Sequence, residues 1–184
     1  MRRSCARRTV PTPDLISISS FTRNDHFVLV TANLLPELVL LFHRLTCFDL
    51  PTRTIGRLRT GEVWLGNAEG RRATHISPPP ANEVEDRLTK LCEEWRNNFA
   101  GLRTHDQKLR QVAKFHREFL FLHPFFDGNG RTARAIIMQQ CLDLFGKADM
   151  ALMNKGAEYY AALVAADTGN FDLLVAVLEP IVGT

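Results

Sequence analysis

The chain has 184 residues, enough for one domain with a small appendage but not for a second full core. Its contents of 45% hydrophobic and 23% charged residues are those of an ordinary soluble globular protein. The net charge of +3 falls to −1 without Arg2, Arg3, Arg7 and Arg8. The body of the chain is therefore nearly neutral, which does not favour a nucleic-acid-binding face.

The N-terminal segment is arginine-rich but lacks the apolar core of a signal peptide. Pro11, Pro13 and Asp14 interrupt the place where that core should follow. We expect residues 1–20 to form a flexible basic arm and residues 21–184 to form a single domain. No apolar run approaches the ~20 residues needed to cross a bilayer. The sequence therefore predicts a cytoplasmic protein that does not enter a membrane.

The four cysteines lie far apart and form no CxxC pair: Cys5, Cys47, Cys92 and Cys141. This spacing suggests neither a disulfide framework nor a thiolate metal site. We expect buried or idle thiols in a reducing cytoplasm.

The apolar periodicity predicts a mainly α-helical fold with one small hairpin. A buried helix should run from a capping Asn33 to about Phe48. Glycines alternate with β-formers over about 55–77, which predicts two short strands around the GNAEG turn. Further helices are predicted over 83–99 with Asn82 as its cap, over 105–122, from about 129–131 to a stop at Gly146, and over 157–169 and 171–182.

The stretch HPFFDGNGRTAR, residues 123–134, combines one imidazole, one carboxylate, two guanidiniums and a Gly-Asn-Gly turn directly after an apolar run. Pro124 should end the preceding helix, because the residue before a proline avoids the α region. His123 then projects from the end of a rigid element. Phe125 and Phe126 cannot both face water comfortably, so at least one should be anchored in the core.

The second half of this stretch is typical of an anion site. Gly128 and Gly130 permit positive φ and let the backbone come close to a ligand. Free N–H groups at the start of the next helix, with its dipole behind them, form an anion-binding concavity. Arg131 and Arg134 are three residues apart, so we expect them to point the same way and to bind phosphate.

Two groups in the stretch can supply chemistry to a bound phosphate. Asp127 offers a hard oxygen ligand for Mg²⁺ that also touches phosphate. His123 can accept a proton near neutral pH. Together with the anion site they predict phosphoryl or nucleotidyl transfer. His43 and His116 lie within helices and are better interpreted as packed or surface histidines.

HPFFDGNGRTAR resembles the signature of the Fic (filamentation induced by cAMP) family, H-x-F-x-[DE]-G-N-G-R-x-x-R, and matches it at every specified position. THISPPP resembles the flap of that family, and EYYAALVAADTGNF resembles its C-terminal tyrosine segment. The resemblance covers roughly residues 34–178. It implies a helical bundle core with a β-hairpin flap. It also implies a protein adenylyltransferase (AMPylator), which moves AMP from ATP to a Ser, Thr or Tyr hydroxyl of a target protein.

The resemblance also implies roles for individual residues. His123 would be the general base, Phe125 the buried anchor of the loop, and Asp127 the Mg²⁺ ligand. The Asn129 amide would help to fix the α-phosphate. The implied nucleotide contacts are Asp127, Gly128, Asn129, Gly130, Arg131, Arg134, Tyr159, Tyr160 and also Asp167. The target would dock by strand addition at the flap edge formed by Thr74, His75 and Ile76.

The sequence leaves alternatives open for the type of reaction and for the way in which activity is inhibited. Family members that phosphorylate carry lysine where this chain has Gly130, so AMP transfer is favoured over a kinase-like transfer. A non-catalytic protein-binding module is the other alternative. The inhibitory pattern [ST]-x-x-x-E-[GN] of the family is absent from the sequence. Inhibition is therefore expected from a small antitoxin-like partner or from an altered N-terminal segment, and a homo-oligomer stays open.

Overall fold

The computed structural model describes residues 30–66, 76–153 and 155–183. Within these ranges the protein is mainly α-helical, which confirms the predicted fold class. Its helices are α1 Pro36–Thr46, α2 Val84–Phe99, α3 His105–Leu122, α4 Asn129–Phe145, α5 Ala157–Asp167 and α6 Asp172–Val182, with 3-10 turns at Thr31–Asn33, Ala81–Glu83 and Met150–Leu152. The predicted basic arm over 1–20 lies outside the described residues.

Helix α3 begins and ends where the sequence predicts. The Thr104 side chain accepts a hydrogen bond from the Gln107 backbone N–H at 3.2 Å, and the Gln107 side chain accepts one from the Thr104 N–H at 3.1 Å. This reciprocal capping box satisfies two N–H groups that a helix start leaves free. Pro124 stops the helix at its other end. Helix α4 likewise ends at Gly146, whose φ is 72°.

The predicted asparagine caps of α1 and α2 are wrong. Asn33 and Asn82 each lie in the 3-10 turn that precedes the helix, and neither side chain makes a capping hydrogen bond. Helix α1 begins later, at Pro36, because proline has a helical φ and no N–H that needs a partner at the first position. Helix α2 begins at Val84.

The predicted hairpin over 55–77 is not seen in the described part of that region. Residues 67–75 lie outside the described residues, and with them Thr74 and His75. Among residues 55–66 and 76–77, only Gly66 has strand-like pairing, as one isolated bridge. The segment around Arg59, which the sequence predicts as the first strand, binds the loop after α3 instead. The Arg59 N–H donates to the Pro124 carbonyl at 2.9 Å.

Helix α3 is the centre of the core and packs against α2, α4, α5 and α6, while α1 packs on α4. The core includes these fully buried side chains: Trp95, Leu109, Val112, Phe119, Ile136, Ile137, Leu174 and Leu178. Burial of this apolar surface is the main stabilising contribution. It makes the end of α3 and the start of α4 a fixed frame for the residues between them.

Among the described helices, none is long and apolar enough to cross a membrane. Cys47, Cys92 and Cys141 are buried free thiols, as predicted, while Cys5 lies outside the described residues. Burial raises the pKa of Cys92 and that of Cys141 to about 12.

Candidate active site

His123 caps the C-terminal end of α3 in the left-handed conformation, with φ 48°. It is the single non-glycine residue with positive φ in the described part of the chain. Its Nδ1 lies 3.3 Å from the Leu120 carbonyl oxygen. Because a carbonyl can only accept, Nδ1 carries the hydrogen and Nε2 keeps its lone pair.

The surroundings of His123 favour its neutral form. Burial lowers the pKa of the imidazole most, and the positive charge of Arg59 lowers it further, against the raising effect of the Leu120 carbonyl and the Asp127 charge. The unprotonated ring is therefore the dominant form at neutral pH. A half-buried imidazole with a free lone pair can act as a general base.

Hydrogen bonds to the backbone of Phe125 hold the loop that follows. The Phe125 ring is fully buried and Phe126 is 46% exposed, which confirms that one of the two is the anchor. The buried Asn129 side chain accepts from the Phe125 N–H at 2.9 Å and donates to the Phe125 carbonyl at 2.8 Å. The side-chain amide of Asn129 is thus used within the loop, which leaves its backbone N–H to face a ligand.

A buried histidine on α1 supports the same loop. The His43 ring stacks on Phe125 with centroids 3.9 Å apart. The Gly56 N–H donates to His43 Nδ1 at 2.8 Å, so Nε2 carries the hydrogen and donates to the Asp127 carbonyl at 3.1 Å. Burial lowers the pKa of His43, in keeping with this neutral form. The prediction of a packed histidine is confirmed.

The turn into α4 leaves backbone N–H groups at the helix start without a partner among the described residues. Gly128 is the residue before the helix, with φ 78°, and a Cβ there would lie 2.4 Å from the Cys47 sulfur. In the described part of the chain, no acceptor binds the backbone N–H groups of Asn129, Gly130 and Arg131. Three unpaired N–H groups at the positive end of a 17-residue helix favour an anion.

The two arginines of α4 do not lie together, so the prediction that they point the same way is wrong. Arg134 lines the cavity described below and makes no hydrogen bond or ion pair with any described residue. Arg131 forms an ion pair with Asp49 and lies 3.5 Å from the Thr46 carbonyl, at the end of α1. The two side chains therefore have different surroundings, Arg131 beside the end of α1 and Arg134 at the cavity. Asp49 is 57% exposed, so this ion pair is weak.

A cavity of about 520 Å³ opens between the end of α3, the start of α4 and α5. It brings together most of the predicted site residues that the structure describes, namely Ile76, His123, Gly130, Arg134, Tyr159, Tyr160 and Asp167. Aliphatic side chains, among them Leu163 and Val164, make up much of the remaining wall. This combination of apolar walls with a few convergent polar groups is typical of a small-molecule site.

Paired side chains fix the α5 wall of the cavity. The Tyr159 hydroxyl lies 2.8 Å from Nε2 of His116, which is fully buried and has its pKa lowered by burial to about 3. Arg117 and Asp167 form a nearly buried ion pair between α3 and α5. Tyr159 and Tyr160 meet edge to face at 5.5 Å. These contacts preorganise the wall before any ligand enters.

Asp127 is exposed, and one of its carboxylate oxygens accepts from the Gly128 N–H at 2.5 Å. Its second oxygen has no partner among the described residues. No cluster of three His, Cys, Asp or Glu side chains occurs in the ranges that the structure describes. A single carboxylate beside a phosphate site fits Mg²⁺, which often binds through one or two carboxylates together with substrate phosphates.

The site matches a known family in sequence and in fold. A family profile described as Fic/DOC family matches residues 33–141, more than half of the chain, including all of HPFFDGNGRTAR. The chain belongs to the Fic/DOC family. A curated relative of this Fic domain, protein adenylyltransferase fic-1 of Caenorhabditis elegans, is 32% identical over 133 residues. That match covers 72% of this chain and 24% of the relative.

Two solved structures agree with this assignment. Fic-1 from C. elegans has a TM-score of 0.60 at 25% identity, covering 80% of this chain and 40% of that chain. A Fic family protein from Desulfovibrio desulfuricans G20 has a TM-score of 0.61 at 25% identity, covering 82% of this chain and 46% of that chain. This Fic domain spans about a quarter of the length of the curated relatives it matches.

Sequence reasoning missed two buried residues that support the loop of this Fic domain. The sequence favours only a packed or surface role for His43, and no motif includes Arg59. Neither belongs to HPFFDGNGRTAR, and both act through backbone carbonyls. A backbone partner leaves no pattern in the sequence, so spacing could not have found them.

Proposed function

We propose that this protein is an adenylyltransferase that transfers AMP from ATP to a Ser, Thr or Tyr hydroxyl of a target protein. One observation carries the proposal: a neutral imidazole, an arginine and a helix end adjoin one cavity, and neither Arg134 nor the first N–H groups of α4 have a partner among the described residues. The names of the relatives agree, since those from Caenorhabditis and Drosophila are protein adenylyltransferases.

The helix end supplies the phosphate site. The N–H groups of Asn129, Gly130 and Arg131 would donate to phosphate oxygens, and the α4 dipole adds to the attraction. Arg134 would pair with the triphosphate through its guanidinium fork. Arg131 would join it by exchanging the exposed Asp49 for phosphate, since the ion pair with Asp49 is screened by solvent.

The cavity supplies the site for adenosine. Its volume of about 520 Å³ lies within the usual range for ligand pockets. The half-buried Tyr160 ring would stack on the base or meet it edge to face, and the buried Tyr159, held by His116, would support it from behind.

Asp127 would hold Mg²⁺ through its free carboxylate oxygen, beside the phosphates. When bound, this ion would supply charge neutralisation at the phosphate oxygens. The Asp127 backbone is held by His43 through its carbonyl, so the carboxylate would be presented from a fixed point.

His123 would perform the proton transfer. The target hydroxyl oxygen would attack the α-phosphorus, Nε2 of His123 would take the hydroxyl proton, and the bond to pyrophosphate would break. Such a reaction needs positioning and charge stabilisation more than covalent help. General-base assistance contributes on the order of 10²–10⁴-fold.

The target would dock along the flap, as the sequence predicts for Thr74, His75 and Ile76. Ile76 is half-buried and lines the cavity, which supports this placement, while Thr74 and His75 lie outside the described residues. Two large exposed aromatic side chains in the same region, Trp64 and Phe126, are 51% and 46% exposed. An extended target segment could bury part of this apolar surface on binding.

The resemblance to the family implies AMP transfer where Gly130 stands, and the structure shows what glycine permits there. A Cβ at this position would lie 3.2 Å from Nη1 of Arg134, so a longer side chain would displace that guanidinium. With glycine there, Arg134 keeps its position on the cavity wall. This is the arrangement that the proposed binding of the triphosphate uses.

Labelled ATP tests the proposal directly. The protein is incubated with Mg²⁺, a cell lysate and ATP that carries ³²P at either the α- or the γ-phosphate. We expect protein-bound label from the α-phosphate only. Label from the γ-phosphate only would make the protein a kinase.

Single variants then assign the roles. His123→Ala should reduce labelling by about 10²–10⁴-fold while binding of a non-hydrolysable ATP analogue persists. His105→Ala is the matched control, because His105 is an exposed histidine on the same helix, paired with Glu179. Equal labelling by His123→Ala and wild type would remove His123 from the proposed role.

A further inference from the structure

Arg59 is a buried arginine with only 2% of its surface exposed. Its guanidinium has no carboxylate partner among the described residues. Every hydrogen bond that its side chain makes there goes to a main-chain carbonyl, on Gly61, Pro79, Leu122 and His123. A buried charge is costly unless it is fully hydrogen-bonded, so such a residue needs a specific reason.

One set of these contacts lies at the end of α3. Nε donates to the His123 carbonyl at 2.8 Å, and Nη2 lies 3.4 Å from the Leu122 carbonyl. The backbone N–H of Arg59 donates to the Pro124 carbonyl at 2.9 Å. The C-terminal end of a helix has unpaired carbonyls and a partial negative charge. A guanidinium there donates hydrogen bonds to the carbonyls and interacts favourably with the charge.

The other set lies on either side of residues 62–78. Nη1 donates to the Gly61 carbonyl at 3.1 Å, and Nη2 donates to the Pro79 carbonyl at 2.5 Å. The segment between these two carbonyls contains Ile76 and the predicted docking edge. One guanidinium therefore joins the Gly61 and Pro79 carbonyls to the carbonyl of His123.

The backbone conformation of His123 explains why its carbonyl needs a hydrogen-bond donor that holds it in place. A non-glycine residue in the left-handed region is strained, and it keeps that conformation only where its surroundings hold it. The Arg59 Nε hydrogen bond holds the His123 carbonyl, and with it the direction in which the ring projects.

We propose that Arg59 is a positioning residue that keeps His123 in the left-handed conformation and fixes the Gly61 and Pro79 carbonyls relative to it. It would thereby set the geometry between the base and the docked hydroxyl. The proposal rests on the proposed function for its kinetic consequence but not for its structural one.

ATP binding can distinguish a positioning role of Arg59 from a general role in stability. Arg59 makes no hydrogen bond to Asp127 or to residues 128–134, and the start of α4 is held separately by Asn129 and His43. Loss of Arg59 contacts should therefore impair transfer while ATP binding is retained. A purely structural role would reduce both together.

Arg59→Lys and Arg59→Gln test this, because each can satisfy only part of the carbonyl set. Arg57→Gln is the matched control, since Arg57 lies two residues away on the same segment and is exposed. Activities are scaled to the folded fraction measured by circular dichroism. We expect kcat for AMP transfer to fall about 10- to 100-fold, as for misplaced reacting groups. The Kd of a non-hydrolysable ATP analogue should change less than twofold.

A structural readout decides the proposal without any activity. In the wild-type protein, NMR should show slow hydrogen exchange at Arg59 Nε and scalar coupling from this nitrogen to the His123 carbonyl. A crystal structure of Arg59→Lys should show His123 outside the left-handed region or its imidazole turned from the cavity.

Three results would overturn the proposal: rapid exchange at Arg59 Nε without coupling, unchanged His123 geometry in Arg59→Lys, or wild-type kcat in both variants. A wild-type protein that labels nothing would instead refute the proposed function. The NMR and crystallographic results would then still decide whether Arg59 positions His123.

Discussion

At the scale of single residues, the protonation state of His123 is central. Burial and the charge of Arg59 lower its pKa, so the free enzyme should keep its base unprotonated below the ordinary histidine value of about 6.5. The kcat/KM for AMP transfer should therefore rise with pH and reach half of its plateau below pH 6.5. The measurement is a pH profile at sub-saturating ATP. A midpoint at pH 7 or above would contradict this environment for the imidazole.

Gly128 can be compared with Gly146, because both have positive φ and only one is crowded. A Cβ at Gly128 would meet the Cys47 sulfur at 2.4 Å, whereas nothing lies within 4 Å of a Cβ at Gly146. Gly146→Ala should cost about 1–2 kcal/mol for the backbone alone. Gly128→Ala should cost a further ~1–3 kcal/mol from overpacking. Urea unfolding of both variants measures the difference.

A double variant identifies the cause of that difference. Cys47→Ala removes the sulfur atom that a Cβ at Gly128 would meet. In the double variant Gly128→Ala/Cys47→Ala, part of the added cost should be recovered, so the two single effects should not add. Equal costs for Gly128→Ala and Gly146→Ala, or strict additivity with Cys47→Ala, would show that no crowding exists.

At the scale of elements, the contact between α3 and α5 makes stability depend on pH. His116 is fully buried against Tyr159, and burial lowers its pKa to about 3. Below pH 6.5 the unfolded chain binds a proton at this residue that the folded protein does not. The free energy of unfolding therefore falls as pH drops from 6.5 towards 3, by up to 1.36 kcal/mol per pH unit.

His116→Gln should remove this contribution while its amide can still reach the Tyr159 hydroxyl. Between pH 6.5 and 4.5 the variant should lose up to about 2.7 kcal/mol less stability than wild type. His105→Gln, on an exposed surface of α3, is the control. Unfolding by urea at the two pH values provides the data, and identical losses in wild type and His116→Gln would refute the assignment.

The boundaries of the elements could be predicted where local chemistry fixes them. The Thr104–Gln107 capping box and Pro124 define α3, and Gly146 ends α4. The predicted caps at Asn33 and Asn82 are wrong because an asparagine near a helix start is also suited to the turn before it. Local sequence signals therefore fix the ends of α3 and the end of α4, whereas tertiary packing fixes the starts of α1 and α2.

At the scale of the whole molecule, the candidate site consists of HPFFDGNGRTAR and of residues from distant parts of the chain that contact it. HPFFDGNGRTAR identified the family, and it predicts the base and the anion site. The partner of Arg131, Asp49, follows another helix. The support from Arg59 depends on carbonyls up to 64 residues away. Such contacts arise from tertiary packing and have no spacing rule.

The central claim is that the cavity beside α4 binds ATP with its α-phosphate near His123. A crystal structure of the protein with Mg²⁺ and a non-hydrolysable ATP analogue tests it most directly. We predict phosphate oxygens on the N–H groups of Asn129 to Arg131, the base beside Tyr159 and Tyr160, and Nε2 of His123 facing the side from which a hydroxyl reaches the α-phosphorus. A cavity without nucleotide, or a γ-phosphate in place of the α-phosphate beside His123, would contradict the account.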